Sequence, residues 1–260
     1  MLKTALSCPR IQDVSIPGCL CKVANVIIIQ EMKMLARFKI LIIGSAVAFL
    51  SISSISSADA RTCRVPDVTP EVTFDITPYK VAFKKGASRG DLQRITRRHS
   101  ITRRGGKWFP LGVTLTTFSY EVSPKVMAYP MKGGRYCAVP TEIRIKMGYP
   151  KFEILIDRRY RRGTCQFNAI RDHENEHVDL YLDTLDRMTP WLESRILGEV
   201  NRIKPITETS PDRAAKYFTR ILMNTIGAAA KKLSTKAARA NARIDTAQSY
   251  KLIQSQCARW

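Results

Sequence analysis

The chain has 260 residues, of which 45% are hydrophobic and 25% charged, so it holds enough apolar material for one moderate hydrophobic core. Lysine and arginine outnumber aspartate and glutamate by 43 to 22, and the resulting net charge of +21 favours anionic partners. Neither an RNP-like aromatic pattern, nor zinc-finger spacing, nor a glycine-rich phosphate loop accompanies the charge. We therefore expect no specific nucleic-acid binding and keep acidic envelope polymer as a candidate partner.

Residues 34–60 have the order of segments that is typical of a secretory signal peptide. Arg37 and Lys39 lie in a short basic segment, an apolar run spans residues 40–52, and a small polar stretch ends at Ala60. The apolar run is shorter than the ~20 residues that a membrane span requires. We expect cleavage after Ala60 and a periplasmic or secreted protein, with retention of the segment as an anchor as the alternative.

The segment before this signal is unusual, because signal peptides stand at the N-terminus and Met32 or Met34 would be a natural start. We expect residues 1–60 to be an extension with a signal peptide that is removed. The remaining residues, 61–260, are predicted to form one monomeric domain.

Four cysteines fall in that domain, at Cys63, Cys137, Cys165 and Cys257. An even number in an exported protein predicts two disulfides. The sequence leaves three connectivities open. We favour Cys137 with Cys165, joining a strand to a helix, and Cys63 with Cys257, joining the two ends of the domain.

The first half of the domain is predicted to contain β-strands, because its apolar residues occur in short runs bounded by proline and glycine. The runs span residues 72–76, 79–83, 113–120, 143–145 and 152–156. An arginine-rich stretch, residues 89–107, separates two of them and is predicted to be a mobile basic loop that meets an anionic surface.

From Cys165 onward, apolar residues recur every three or four positions, which predicts a helix with Thr164 as its cap. A second helix is predicted from Trp191 to about Asn201. A third follows residues 210–212, whose Ser-Pro-Asp order is typical of a helix start. The basic face of this third helix is interpreted as solvent-exposed.

Residues His173 to His177 form a His-Glu-x-x-His motif on the first of these helices. Positions four apart lie on one face of a helix, so His173 and His177 can direct two imidazole nitrogens at one Zn²⁺ ion. Glu174 lies beside that position and can act as the general base toward a water that the metal activates. Packing of both histidines in the core is the alternative reading.

With this motif the chain resembles the zincin metallopeptidases, and more closely a bacterial family of secreted zinc proteases predicted from sequence. The resemblance covers roughly residues 73–257 and is carried by residues 136–139, 152–156, 162–165 and 171–178. It implies an α+β fold in which a twisted antiparallel sheet packs on the metal-binding helix, with further C-terminal helices. It also implies metal-dependent hydrolysis of a peptide or protein substrate, bound along residues 152–156 as an edge strand.

A catalytic zinc site needs a third protein ligand, which here must be a carboxylate, because the remaining histidine, His99, lies among arginines. Asp245 resembles the downstream aspartate of the aspartate-type zincins and is our first choice. Glu199 and Glu193 resemble the ligand of the glutamate-type zincins and stay open. Tyr250 is predicted to donate to the developing oxyanion, or else to be a core aromatic.

The predicted function is therefore an exported zinc-dependent hydrolase, most simply a peptidase. The competing prediction is a non-catalytic basic envelope protein that binds anionic cell-wall polymer or a protein partner. Acidic residues around the motif, Asp172, Glu176 and Asp179, are candidate acceptors for the histidine N–H groups.

Overall fold

The computed structural model describes residues 63–84, 86–98 and 109–260 in full, and upstream of them only the backbone of two short strands. The predicted signal peptide, residues 34–60, and His99 lie outside the described residues. Among the helices that are described, none combines the length and the apolar character that crossing a bilayer demands.

The described residues form two β-sheets and four helices. The strands are β1 (Val14–Ser15), β2 (Cys19–Val23), β3 (Glu71–Ile76), β4 (Lys80–Phe83), β5 (Gly112–Thr116), β6 (Phe118–Met131), β7 (Arg135–Gly148), β8 (Lys151–Ile156) and β9 (Ile206–Glu208). The helices are α1 (Arg89–Arg98), α2 (Cys165–Val200), α3 (Pro211–Ile244) and α4 (Ala247–Ser255). The predicted α+β class is confirmed.

Both sheets are mixed, whereas we expected one antiparallel sheet. The larger sheet is built on the β6–β7 hairpin, to which β1, β2 and β9 add in antiparallel pairing and β3 in parallel pairing. The smaller sheet has the order β4-β8-β5, with β4 parallel and β5 antiparallel to β8. The predicted edge strand, residues 152–156, is therefore the central strand of its sheet, and its prediction as an edge was wrong.

Helix α2 is one continuous helix, so the two separate helices predicted across this region are wrong. Pro190 lies inside it, where a proline removes a backbone hydrogen bond and costs about 3 kcal/mol. Packing offsets this cost, because apolar side chains are buried on both sides of the proline. They are Leu185, Met188, Leu192, Ile196 and Val200.

The predicted starts of the first and third helices are confirmed. Thr164 caps α2 by accepting a hydrogen bond from the backbone of Phe167, and Ser210 caps α3 in the same way from Arg213. The predicted basic loop is wrong over its first ten residues, which form α1. Ser88 and Asp91 cap that helix reciprocally, and Leu92 anchors it in the core.

Two disulfides are present, as predicted, but their connectivity differs from the one we favoured. Cys63 pairs with Cys137, with 5.2 Å between Cα atoms, and Cys165 pairs with Cys257, with 5.9 Å. The second pair forms because α4 packs back against α2 and brings the end of the chain to the start of that helix. Two disulfides fit an oxidising compartment.

Asp157 directly follows β8 and has a buried carboxylate, 1% exposed, whose two oxygens both accept from the guanidinium of Arg159. Burial raises the pKa of this carboxyl, but the hydrogen bonds from Arg159 outweigh burial and hold the pKa below its usual range. The backbone N–H of Asp157 donates to Leu111, just before β5. Asp157 therefore joins two strands of the smaller sheet.

We predict that Asp157→Asn lowers the free energy of unfolding at neutral pH by about 1.5–3 kcal/mol, because charge-assisted hydrogen bonds are lost. A lowered folded-state pKa means that the contribution is complete above the unfolded pKa of about 4 and is lost as pH falls through the folded value. Urea unfolding from neutral to acid pH should show the difference shrinking. Asp75→Asn, the same change at an exposed site, should have little effect.

Candidate metal centre

His173 and His177 lie one turn apart on α2 and are buried, with 7% and 8% exposure. Their ring centroids are 4.8 Å apart. Each ring directs its Nε2 atom at the same oxygen, Oδ1 of Asp245, at 3.3 Å from His173 and 3.4 Å from His177. The structure thus brings together the two predicted histidines and the first-choice third ligand.

Asp245 comes to the histidines from a distant part of the chain. It is the residue at which α3 ends, so its carboxylate lies between α3 and the following helix α4. Tyr250 on α4 donates its hydroxyl to Asp245 Oδ1 at 3.1 Å, and its ring packs on His173 with 5.5 Å between centroids. The disulfide between Cys165 and Cys257 joins the end of α4 to the start of α2.

The two distances from Asp245 Oδ1 to the histidine nitrogens fit a metal ion. In a tetrahedral site with ligand bonds of about 2.0–2.1 Å, two ligand atoms lie about 3.3–3.4 Å apart. The distances from Asp245 Oδ1 to both histidine nitrogens match that edge. Ligating atoms of His173, Glu174 and His177 also lie within 4.8 Å of one another, so this buried group could hold a metal ion. Two imidazoles and a carboxylate suit Zn²⁺ and other first-row ions.

His177 and Asp245 form a largely buried ion pair. Burial lowers the pKa of His177, but its hydrogen bond to Asp245 and the charge of Glu174 outweigh burial and raise the pKa to about 9. Burial raises the pKa of Asp245, yet the hydrogen bonds with both histidines hold it well below its ordinary value. An ionised carboxylate is the form that a metal requires.

Glu174 is buried, 3% exposed, and accepts a 2.7 Å hydrogen bond from the hydroxyl of Thr114 on β5. Burial raises the pKa of its carboxyl, while the positive charges of His177 and His173 act in the opposite direction. A buried carboxyl beside the candidate metal position is suited to accept a proton from water and return it.

Asn241 belongs to the site and was not predicted. Its Nδ2 donates to the carbonyl of Ala237 at 2.8 Å, which leaves Oδ1 as the acceptor for His177 Nδ1, 2.7 Å away. This bond keeps a proton on His177 Nδ1, so Nε2 is the nitrogen that can bind a metal once its own proton is lost. The feature of the sequence that could have predicted Asn241 is its position, one helical turn before the candidate ligand Asp245.

The other carboxylates considered as ligands lie elsewhere. Glu199 and Glu193 are on the same continuous helix as His177, about 33 Å and about 24 Å further along its axis at the usual rise per residue. A glutamate-type site would need the chain to turn back after the motif helix. The unbroken α2 excludes both residues as ligands.

Of the acidic residues around the motif, Glu176 comes closest to a histidine. Its carboxylate lies 3.9 Å from His173 Nδ1, beyond hydrogen-bonding distance, and is 56% exposed. Asp172 pairs with Arg171, and Asp179 is exposed. The predicted acceptor role for the histidine N–H groups is filled at His177 by Asn241 instead.

The chain matches no protein-family model, no curated protein and no solved structure. The resemblance to zincins therefore stays a prediction, and function has to be inferred from the geometry of the site. That geometry combines a candidate metal position, a buried carboxyl beside it and an open cavity.

A cavity lies in front of the site, between α2 and the strand β5. It is lined by Thr96 of α1, by Pro110 and residues 112–114, by Tyr181, and by the polar residues of the site. Because β5 is an edge strand of the smaller sheet, its outer edge pairs with no other strand of the described residues. The edge strand beside the site is thus β5, rather than the predicted residues 152–156.

Gly112 on β5 is predicted to be required for the position of Glu174. A Cβ atom at this glycine would lie 2.5 Å from Glu174 Oε1 and 2.8 Å from its Cγ, which is too close for either atom to stay. We expect Gly112→Ala to lower kcat/KM for hydrolysis about 100-fold with metal content unchanged, because misplacing a catalytic group costs that much. Gly198→Ala in α2, where no atom lies within 4 Å, should retain full activity; equal activity of both variants would contradict the prediction.

Asn241 is predicted to support the metal through His177. Asn241→Leu should weaken metal affinity about 10- to 100-fold, the usual effect of removing a partner of a ligating histidine. Asn241→Asp keeps an acceptor oxygen and should retain most of the affinity. Competition with a chromophoric chelator measures the metal affinity of the unsubstituted protein and of both Asn241 variants. The control is Asn224→Leu, the same exchange at an exposed position on α3. A Leu variant that binds as tightly as the unsubstituted protein would refute this role.

Proposed function

We propose that the protein is an exported zinc-dependent hydrolase that cleaves peptide bonds. The observation that carries this proposal is the convergence of His173 Nε2 and His177 Nε2 on one oxygen of Asp245, at the edge length of a tetrahedral zinc site. A structural zinc site has four protein ligands, whereas in our proposal only His173, His177 and Asp245 bind the metal, and Glu174, which lies within 4.8 Å of both histidines, is the general base and not a fourth ligand. A three-ligand site leaves a position for water or substrate, which is the arrangement of catalytic zinc.

The residues of the chain have distinct roles in this proposal. His173, His177 and Asp245 hold the metal, which when bound supplies Lewis-acid polarisation of the substrate carbonyl and lowers the pKa of water. Glu174 takes the proton from the attacking water and returns it to the leaving amine. Thr114 holds the Glu174 carboxylate in place, and Asn241 fixes the proton of His177.

Tyr250 has two candidate roles, which are compatible. Its hydroxyl donates to Asp245 and so orients this carboxylate toward the histidines. Burial and the nearby charge of Asp245 raise its pKa, so the hydroxyl keeps its proton at neutral pH and remains a hydrogen-bond donor. In our proposal it donates to the oxygen that gains charge as the substrate carbonyl is attacked.

A peptide substrate is favoured by the free edge of β5. This strand runs past Glu174, with Gly112 and Thr114 both in contact with that side chain. An extended peptide can add to such an edge by main-chain hydrogen bonds, which places a backbone carbonyl beside the site whatever the side chains are. Hydrolysis of a compact small molecule would not need this edge.

The test is metal content followed by peptide cleavage. We expect elemental analysis of the purified protein to give one zinc per chain, and a mixed peptide library to be cleaved in a reaction that a chelator stops and added zinc restores. His173→Ala and His177→Ala should lose both properties. Absence of bound metal even after zinc addition would exclude the hydrolase and favour the competing prediction of a basic envelope-binding protein.

A further inference from the structure

Exposed apolar side chains are concentrated at β4. Eight large hydrophobic residues are exposed among the described parts of the chain, and four of them fall between positions 76 and 83. Tyr79 is 51% exposed, Val81 37% and Phe83 38%. Isolated exposed apolar residues are ordinary, but a contiguous group is typical of a surface that contacts a partner or a membrane.

Tyr79, Val81 and Phe83 alternate along the chain and share one face of the smaller sheet. Val81 is opposite Phe152 and Phe83 is opposite Ile154 in the β4–β8 register, and both partners are fully buried. The ring of Tyr79 also meets Phe152, with 6.0 Å between centroids. The apolar face is thus buried at the central strand β8 but left open at β4, its edge.

This apolar strip, Tyr79, Val81 and Phe83, runs into a second cavity. The cavity has a volume of about 360 Å³ and an apolar floor that includes Phe83, Ile154 and Phe167. Three cationic residues line it, Lys84, Arg158 and Arg162. It is separate from the metal centre, because it shares no lining residue with the cavity in front of Glu174.

The two arginines of this cavity are available to an anion. Arg158 and Arg162 are exposed, and neither forms an ion pair with a carboxylate of the described residues. Lys84 pairs with Glu153 at 3.2 Å, and that same carboxylate also pairs with Lys151, so the nearby acidic charge is already neutralised. Excess positive charge therefore stands directly beside exposed apolar surface.

We propose that the apolar strip and the arginine-lined cavity dock the protein on an anionic lipid surface. Arg158 and Arg162 bind headgroup phosphates, and Val81 and Phe83 enter the boundary with the acyl chains. A soluble polyanion would use the arginines but would leave the apolar strip in water. A lipid surface binds the arginines and also covers the apolar strip, and it would hold the proposed hydrolase beside the membrane.

The experiment measures binding of the full chain to vesicles of phosphatidylcholine with phosphatidylglycerol, beside vesicles of phosphatidylcholine alone. We expect Arg158→Gln/Arg162→Gln to weaken binding to the anionic vesicles roughly 30-fold, since each basic residue at such a surface contributes about fivefold. Val81→Ser/Phe83→Ser should weaken it on the order of tenfold or more, because apolar area stays in water. Any membrane affinity of the apolar run 40–52 is common to all variants and cancels in these ratios.

The matched control is Lys236→Gln/Arg239→Gln, which removes the same two charges from exposed positions on α3. A local readout is the difference in tryptophan fluorescence between Phe83→Trp and the unsubstituted protein, whose three tryptophans are common to both. This difference should shift to shorter wavelength with anionic vesicles and stay unchanged with inorganic phosphate. A control pair that weakens binding as much as the arginine pair would overturn the proposal, because attraction would then follow net charge alone. Unchanged binding of Val81→Ser/Phe83→Ser, or no binding to either vesicle, would also overturn it and leave a protein partner for this surface.

Discussion

Replacement of Glu174 by glutamine is expected to lower kcat for peptide hydrolysis by about 10²- to 10⁴-fold, the range for loss of a general base. Glutamine has the same size and can still accept the hydrogen bond from Thr114, so the buried side chain should keep its place. It cannot take a proton from water. Bound metal should remain at one per chain, because the proposed ligands are His173, His177 and Asp245 and not Glu174.

The control for this prediction is Glu176→Gln, the same exchange two residues further along α2. That carboxylate is 56% exposed and lies 3.9 Å from His173, so its loss should change kcat less than about twofold. Both proteins are compared by steady-state kinetics on one cleaved peptide, with zinc measured in each. If Glu174→Gln retained full kcat, the proposed mechanism would be wrong even with zinc bound.

The second large effect that we expect is a loss of zinc affinity when Asp245 is replaced. Asp245→Ala should weaken zinc binding on the order of a thousandfold, since a binding energy of about 10–16 kcal/mol is shared among few ligands. It also removes the partner of both histidines and of Tyr250. Chelator competition measures the affinity, and activity should fall in parallel as metal is lost.

The matched control is Glu199→Ala, which tests the other class of third ligand. Glu199 is on α2, far along the axis from the histidines, and its nearest cation is Arg202 at 3.8 Å. We expect its zinc affinity to equal that of the unsubstituted protein. Loss of zinc from Glu199→Ala with full binding by Asp245→Ala would exclude the three-residue site described above.

The helical part of the site could be predicted from the sequence because it is local. His173, Glu174 and His177 are placed by the geometry of a single helix, and a helix fixes the relation of residues four apart before any packing occurs. The same holds for the caps Thr164 and Ser210 and for most of the short strands, whose patterns are contained in a few residues.

The rest of the site depends on contacts between distant parts of the chain. Gly112 and Thr114 reach Glu174 only because β5 packs against α2, and Asn241 reaches His177 across the interface of α2 and α3. Asp245 could be named as a candidate, but its choice over Glu199 required knowing that α2 continues through Pro190. A proline usually predicts a break, and here burial of apolar side chains on both sides outweighs its cost.

The sequence by itself determined that the chain is an α+β domain with two disulfides and a helix that presents two histidines and a glutamate on one side. Only the tertiary structure decided the disulfide connectivity, the central position of β8 and the free edge of β5. Local patterns fix what each segment becomes, because backbone hydrogen bonds and side-chain periodicity act within a few residues. Which segments meet is decided by packing over the whole core, and the third ligand, the partner of His177 and the strand beside the site all follow from it.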